Sequence, residues 1–204
     1  MTALTETRGR GRPRDQVAHD DILEAALTLL DEQCYSELTI EKIAARAGCG
    51  KPTIYRRWKT KADIVLEAYA ARAAQTLPPI MPSGDALHDL KVLLARVFNV
   101  AKDPLNLRAV RCFVSESQFD EAFRKRFYEL FLSKRREAFR AILQTGIESG
   151  QLRADLELDV AVDMIHGLLL YRLMFEHEPL DGVAAGAITA LLRRGAVAGE
   201  AVPA

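Results

Sequence analysis

Lys51, Pro52, Thr53, Tyr55, Arg56 and Arg57 fall within seven consecutive residues. The chemistry open to such a set is recognition of polyanions and of base edges. Arg and Lys donate to guanine O6 and N7, and Thr offers a hydroxyl and a methyl group. Tyr55, Arg57, Lys59 and Lys61 suit phosphate oxygens, which fix register and supply the salt-sensitive part of affinity. Upstream, the Thr39 hydroxyl and the backbone amides after it form a helix start able to hold a further phosphate.

Net charge argues neither for nor against such a partner, because 28 basic residues balance 28 acidic ones. Its distribution does argue. From Asp15 to Glu41 there are eight acids and no Lys or Arg, and from Lys42 to Ala62 seven basic residues and no acid. Before both lies Arg8-Gly-Arg-Gly-Arg-Pro-Arg14, a short arm in which Arg8, Arg10, Arg12 and Arg14 alternate with small residues. Such segregation makes one face positive on a neutral molecule.

The elements that must position these residues are helices. Residues 1–14 lack apolar periodicity and read as a flexible basic arm. Ile22, Ala25, Ala26, Leu29 and Leu30 give one buried face to a helix over 15–32. Thr39 is an N-cap for a second helix, 40–47, and Gly48 tolerates the positive φ of a helix end. Lys51-Pro52 opens a third helix, with Pro in the first turn, that carries Ile54 and Trp58 inward and ends near Lys59. Helices are then predicted at 61–76, 85–101, 105–116, 119–149, 159–177 and 181–196, broken by Pro78-Pro79, Asp103-Pro104, Gly150 and Glu178-Pro179. The chain is therefore predicted to be all-α: a helix-turn-helix DNA-binding domain over 15–60 and a second helical domain over 61–204. No apolar run reaches the roughly 18–20 residues that span a bilayer; the longest, Met164–Phe175, is interrupted by His166 and Arg172. The cytoplasm is the expected location, and no membrane partner is expected.

Helix, short Gly-containing turn and basic second helix together make the DNA-reading helix-turn-helix pattern, with the second helix in the major groove. In detail, Leu38-Thr-Ile-Glu-Lys-Ile-Ala-Ala-Arg-Ala-Gly48 followed by Lys51-Pro-Thr-Ile-Tyr-Arg-Arg-Trp-Lys-Thr-Lys61 resembles the tetracycline-repressor (TetR) family of bacterial regulators. The resemblance covers roughly residues 15–67. Gly150-Gln-Leu-Arg-Ala-Asp155, Tyr171-Arg-Leu and Pro179-Leu-Asp181 resemble one subgroup of that family's C-terminal domains, less specifically. The family resemblance implies phosphate contacts at Thr39, Tyr55 and Lys61 and base reading around Lys51–Arg56. The arm of Arg8, Arg10, Arg12 and Arg14 is longer and more basic than the motif requires and resembles the minor-groove arms of other DNA-binding domains, the alternative being a solvated tail. Two departures stand out: Gly50 where a Ser cap is usual, and Pro52 where a small residue is common. The operator sequence is thus not transferable from relatives.

The resemblance further implies a homodimer on a palindromic double-stranded operator, through helices 159–177 and 181–196, with recognition helices about 34–36 Å apart. It also implies an effector pocket for a small molecule of unknown class in the C-terminal domain, whose occupation releases DNA. Phe98, Phe113, Phe127, Phe131, Met164 and Tyr171 are candidate pocket walls, and equally plain core; so are Val97, Ala101 and Leu168. Arg111 and His166 are polar residues in apolar segments: an anion anchor or an ion-paired surface Arg, and a ligand contact or a hydrogen-bonded interface His.

Of three cysteines, Cys49 lies in the turn before the recognition helix, where a helix N-terminus and cations lower a thiol's pKa. A redox-sensing regulator is therefore one alternative; a small residue filling a turn is the plainer reading. Others are a non-specific architectural DNA binder and a helical partner-binding module. An enzyme is not indicated. The chain has no Gly-rich phosphate loop, no G-x-S-x-G and no H-E-x-x-H. Its four His are scattered without metal-ligand spacing, and Asp155, Glu157 and Asp159 are explained by helix capping. No cofactor and no metal are expected.

Overall fold

The computed structural model describes residues 14–76 and 80–196. Arg8, Arg10 and Arg12 lie outside them, and Arg14 opens the first helix rather than ending an arm. Among the described residues there are ten α-helices and no strand: α1 (Arg14–Glu32), α2 (Ile40–Arg46), α3 (Lys51–Tyr55), α4 (Lys61–Thr76), α5 (Ala86–Ala101), α6 (Pro104–Phe119), α7 (Glu121–Phe127), α8 (Ser133–Glu148), α9 (Leu158–Phe175) and α10 (Gly182–Ala196). The predicted all-α architecture is the observed one.

The N-terminal head is built on the apolar stripe of α1. Ile22, Ala26 and Leu30 are fully enclosed and meet Ile43, Ile54 and Trp58 from α2 and the α3 segment. Because α1 also packs along α4, the head is continuous with the body rather than tethered to it. A 3-10 turn, Tyr35–Glu37, fills the α1–α2 connection.

Three predicted helices differ most in extent. α3 ends at Tyr55, not near Lys59. Arg57 N–H bonds back to Ile54 O at 2.9 Å in a tightened turn, and a capping box between Thr60 and Asp63 starts α4 at once. Trp58 still turns inward, because its own N–H also reaches Ile54 O, at 3.0 Å. α6 extends to Phe119, starting with Pro104 behind the Asp103 cap. The single helix predicted over 119–149 is broken at both the start and the middle. Asp120 caps α7 by accepting from Phe123 N–H at 2.9 Å, and a π-helical turn, Tyr128–Leu132, joins α7 to α8.

In the body, α4, α5, α8 and the π turn enclose a cavity, with α6 and α9 behind it. Gly146 sets how closely α8 lies on α5: a Cβ there would stand 2.8 Å from both Ala86 Cβ and Leu152 Cδ1. α9 ends where Glu176 adopts a left-handed conformation, φ 48°. No described helix is long and apolar enough to cross a membrane.

Candidate functional site: a basic helix-turn-helix face and an apolar cavity

Each part of the head's geometry follows from a local residue choice. The Thr39 hydroxyl caps α2 by accepting from Lys42 N–H at 3.2 Å. Gly48 takes φ 63° and turns the chain. Gly50 is the N-cap of α3 with no side-chain bond, and Pro52 occupies the first turn, where an N–H is not needed. Ile54 and Trp58 are buried, so the opposite side of the segment faces solvent with Lys51, Pro52, Tyr55, Arg56, Arg57 and Lys59. Thr53 is half-buried. The sequence-predicted DNA-contacting set from Lys51 to Arg57 is therefore brought onto one segment.

The acids of the preceding helices are spread among these cations. Glu41 accepts from Lys51 Nζ at 3.0 Å, and that hydrogen bond holds its carboxyl below, and the Lys51 ammonium above, their ordinary values. Glu32 takes Arg46 bidentately at 3.0 and 2.6 Å, and Gln33 takes Lys42 Nζ at 2.8 Å. These pairs are exposed and contribute little stability. They tie Lys51 to α2, and Arg46 and Lys42 to α1 and the residue after it.

Lys61 is more committed than the sequence reading has it. Its Nζ donates to Tyr35 O at 2.9 Å and Leu38 O at 2.8 Å and lies over the Tyr35 ring, 4.3 Å from the centroid. These two bonds use two of its three protons. Cys49 is a correction. Burial, and then the charge of Asp21, push its thiol up rather than down, so the argument for an activated thiolate falls away.

Sequence reasoning missed the polar group behind α3. His19 stacks on Trp58 with centroids 5.1 Å apart. Arg57 Nη1 meets His19 Nδ1 at 3.2 Å, His19 Nε2 meets Glu67 Oε1 at 3.1 Å, and Trp58 Nε1–H donates to Glu67 Oε2 at 2.7 Å. The signal was available in principle: an inward Trp needs an acceptor for its indole N–H, and Glu67 is a carboxylate facing it from the next helix.

Glu67 belongs to α4, whose second half walls the cavity with Ala70, Ala73 and Ala74. The start of α4 is gripped from the body as well, since Arg126 of α7 donates through Nε to the buried Asp63 at 2.9 Å. Arg108 of α6 reaches Asp31 of α1 at 2.9 Å. One helix thus touches the recognition segment at one end and the cavity at the other.

The cavity has a volume of about 570 Å³, within the usual range for small-molecule sites. Its wall is mainly apolar, with Leu93 and Val97 from α5 and Phe131, Phe139 and Ile142 from the π turn and α8. Gln151 closes one end, its amide bonding Gly84 O at 2.8 Å and Ala86 N–H at 2.9 Å. Of the predicted pocket residues, Phe131 and Val97 line it. His166 borders a smaller void of about 40 Å³ beside it.

The remaining pocket residues lie elsewhere. Phe98, Phe113 and Phe127 are buried core, Phe113 packing on Tyr69 and Phe127 at centroid distances of 5.5 and 5.4 Å. Arg111 fastens the end of α9, donating to Leu173 O at 3.1 and 2.9 Å and pairing with Glu176 at 2.7 Å. Met164 and Tyr171 are turned outward, 56% and 58% exposed. They form one stripe of α9 with Val160 and Phe175, and α10 exposes Val183 and Leu191. Apolar stripes of this kind mark association surfaces.

Residues 22–68 match the bacterial regulatory proteins, tetR family, and residues 80–192 the tetracyclin repressor-like C-terminal domain. The HTH-type transcriptional regulator YdeS of Bacillus subtilis is 32% identical over 84% of this chain and 86% of its own. The DNA-binding transcriptional repressor TetR of Mycobacteroides abscessus is 26% identical over 81% and 86%. Among solved structures, the TetR family transcription regulator SCO0332 superposes with a TM-score of 0.74 at 26% identity, covering 91% of this chain and 99% of its own. FadR from Bacillus subtilis, solved with stearoyl-CoA, shares the fold with a TM-score of 0.65 at 22% identity, over 86% and 97%. Those matched proteins are regulators, not enzymes. With a helix-turn-helix head, a matching C-terminal domain over more than half its length and a relative 32% identical across most of it, the chain belongs to the TetR family of DNA-binding transcriptional regulators.

Proposed function

We propose that this regulator is a homodimeric cytoplasmic repressor that leaves a palindromic operator when a small molecule fills the cavity. The observation that carries this reading is the placement of α4. Its Glu67 holds Trp58, just beyond the recognition helix, and one turn later its alanines wall the 570 Å³ cavity. A ligand that moves α4 moves the recognition helix, and by linkage operator DNA weakens that ligand's binding.

In this reading residues 15–60 are the DNA-binding head, and 61–204 the effector and dimer domain. Lys51, Pro52, Thr53 and Arg56 face base edges, while Thr39, Tyr55, Arg57 and Lys61 hold phosphates. The arm with Arg8, Arg10 and Arg12 follows the adjacent minor groove. The outward stripes of α9 and α10 pack against their equivalents in a second copy. The test is selection of duplexes by the full-length protein, followed by competition. A repressor of this kind prefers its best palindrome to random duplex by roughly 10³-fold or more and binds it as a dimer. Near-equal binding of random duplex supports an architectural protein and overturns the proposal.

A further inference from the structure

Charge is unevenly distributed along the cavity. α8 runs its length, with Arg135 toward the Phe131 end and Thr145 toward the Gln151 end; the helical rise puts these two about 15 Å apart. α5 runs the other way, with Ala86 against Gly146, and Val97 bordering the same small void as Arg135. Asp89, near the Ala86 end, is already engaged: its two carboxylate oxygens accept from Ser83 N–H at 3.2 and 3.1 Å.

Arg135 has no such engagement. Its neighbour Arg136 pairs with Asp163 and Asp159, and Arg140 with Asp159, yet no described carboxylate stands within ion-pair distance of Arg135. Its guanidinium lies over the face of Phe131, 4.2 Å from the centroid. It borders both voids and is half-buried. Burial draws it below its ordinary value, but a guanidinium remains charged at physiological pH. Across the small void, His166 is only 9% exposed. Its Nδ1 is bonded to Val162 O at 3.0 Å, and its buried Nε2 has no partner. Burial holds that imidazole toward its neutral form, so it adds an acceptor and no second cation. Arg135 is thus a half-buried cation with no described carboxylate beside it at one end of a long apolar cavity, with Asp89 at the other and Lys134 and Glu137 of the same wall exposed, an asymmetry that favours a single negative charge at the Arg135 end.

We propose that the cavity takes an elongated amphipathic monocarboxylic acid, its alkyl part along α8 and its carboxylate on the Arg135 guanidinium. This rests on reading the cavity as the effector site. A neutral ligand leaves a partly desolvated cation without a partner, and a cationic one is repelled. A multiply charged head finds one enclosed cation; the other basic group of the wall, Lys134, is exposed and is accompanied by the exposed Glu137.

The test compares dodecanoate, dodecanol and dodecyltrimethylammonium, below their micelle-forming concentrations. Binding is read by calorimetry, and release of a selected palindrome by fluorescence anisotropy. Dodecanoate is expected to bind and release the duplex. Dodecanol is expected to be weaker by about tenfold or more, the worth of a charge-assisted bond, and the ammonium ion inactive. Arg135→Gln brings the acid down to the alcohol's level while keeping duplex affinity, and Arg135→Lys, which retains the charge, keeps the preference. Equal action of acid and alcohol on the native protein, no binding of the acid, or an Arg135→Gln protein that still prefers it, each overturns the proposal. Absence of sequence-specific duplex binding by the ligand-free protein instead overturns the effector reading, and the calorimetric comparison then decides the ligand class alone.

Discussion

The indole N–H of Trp58 ends on Glu67, at 2.7 Å, and so the residue closing the recognition segment is fixed by the helix that walls the cavity. Glu67→Ala removes the acceptor and the His19 contact together. Leaving a buried donor unpaired costs about 1–3 kcal/mol. The Glu67 side chain keeps 42% exposure, so water reaches the site and the low end applies, about 1 kcal/mol or roughly 2–4 °C in Tm. Operator affinity should fall along with it, and Glu67→Gln, which still offers an oxygen, should recover most of both. An unchanged melting curve and unchanged affinity in Glu67→Ala would show that the bond does not brace the head.

Tyr55 and Arg56 are neighbours on the exposed side of the recognition segment but are expected to fail differently. Tyr55→Ala should weaken binding to all duplexes alike. Arg56→Ala should relax discrimination at one operator position by about 1–3 kcal/mol. Lys61→Ala should combine a lower salt slope with reduced stability, because the Tyr35 and Leu38 carbonyls lose their donor. Competition titrations at several salt concentrations separate these outcomes. Equal loss of specific and random binding in Arg56→Ala would remove it from the base-reading set.

His166 gives the fold an acid sensitivity. Burial, above all, lowers its pKa from 6.5, with the charges of Arg136 and Arg135 acting the same way and the Val162 carbonyl and Asp163 opposing them. The unfolded chain therefore binds the proton more readily than the folded one. The stability involved is fully present above about pH 6.5 and is lost as pH falls through the folded value. Chemical denaturation between neutral and mildly acidic pH should show this loss in the native protein and less of it in His166→Gln. Parallel pH profiles would assign the sensitivity elsewhere.

Met164 and Tyr171 should report on self-association, not on the effector. Met164→Glu or Tyr171→Glu places charges on the exposed stripe of α9, and sedimentation should show a monomer with operator affinity greatly reduced. An intact dimer in both variants would locate the interface elsewhere. Effector affinity per chain should change little, since neither side chain lines the cavity.

The head was legible because its signals are local. Thr39, Gly48, Pro52, Ile54 and Trp58 each act on the backbone within a turn of themselves, so spacing alone fixes where they face. The body was legible in helix content but not in its cavity. Phe113 and Tyr171 look alike in a helical pattern, yet one is enclosed and the other outward, and which occurs depends on distant helices. Arg111 attracted notice by standing among apolar residues, though its partners are the end of α9. Arg135 sits in a run of charged residues, Lys134-Arg-Arg-Glu137, where nothing local distinguishes it from a solvated side chain. Its isolation from acids exists only in three dimensions.

The π turn at Tyr128–Leu132 accounts for that placement. Such a turn holds one residue more than an α-helical turn, and one residue of an α-helix corresponds to about 100° of rotation. Deleting a single residue there would leave composition, charge and helix content almost untouched. It would let the turn close to an α-helical one while α8 keeps its face to the cavity, whereas the same deletion inside α8 would rotate every side chain beyond it by about 100°. A chain of this architecture can thus lose one codon at this turn and keep the chemistry of its inner wall, whereas the loss of one from α8 changes it.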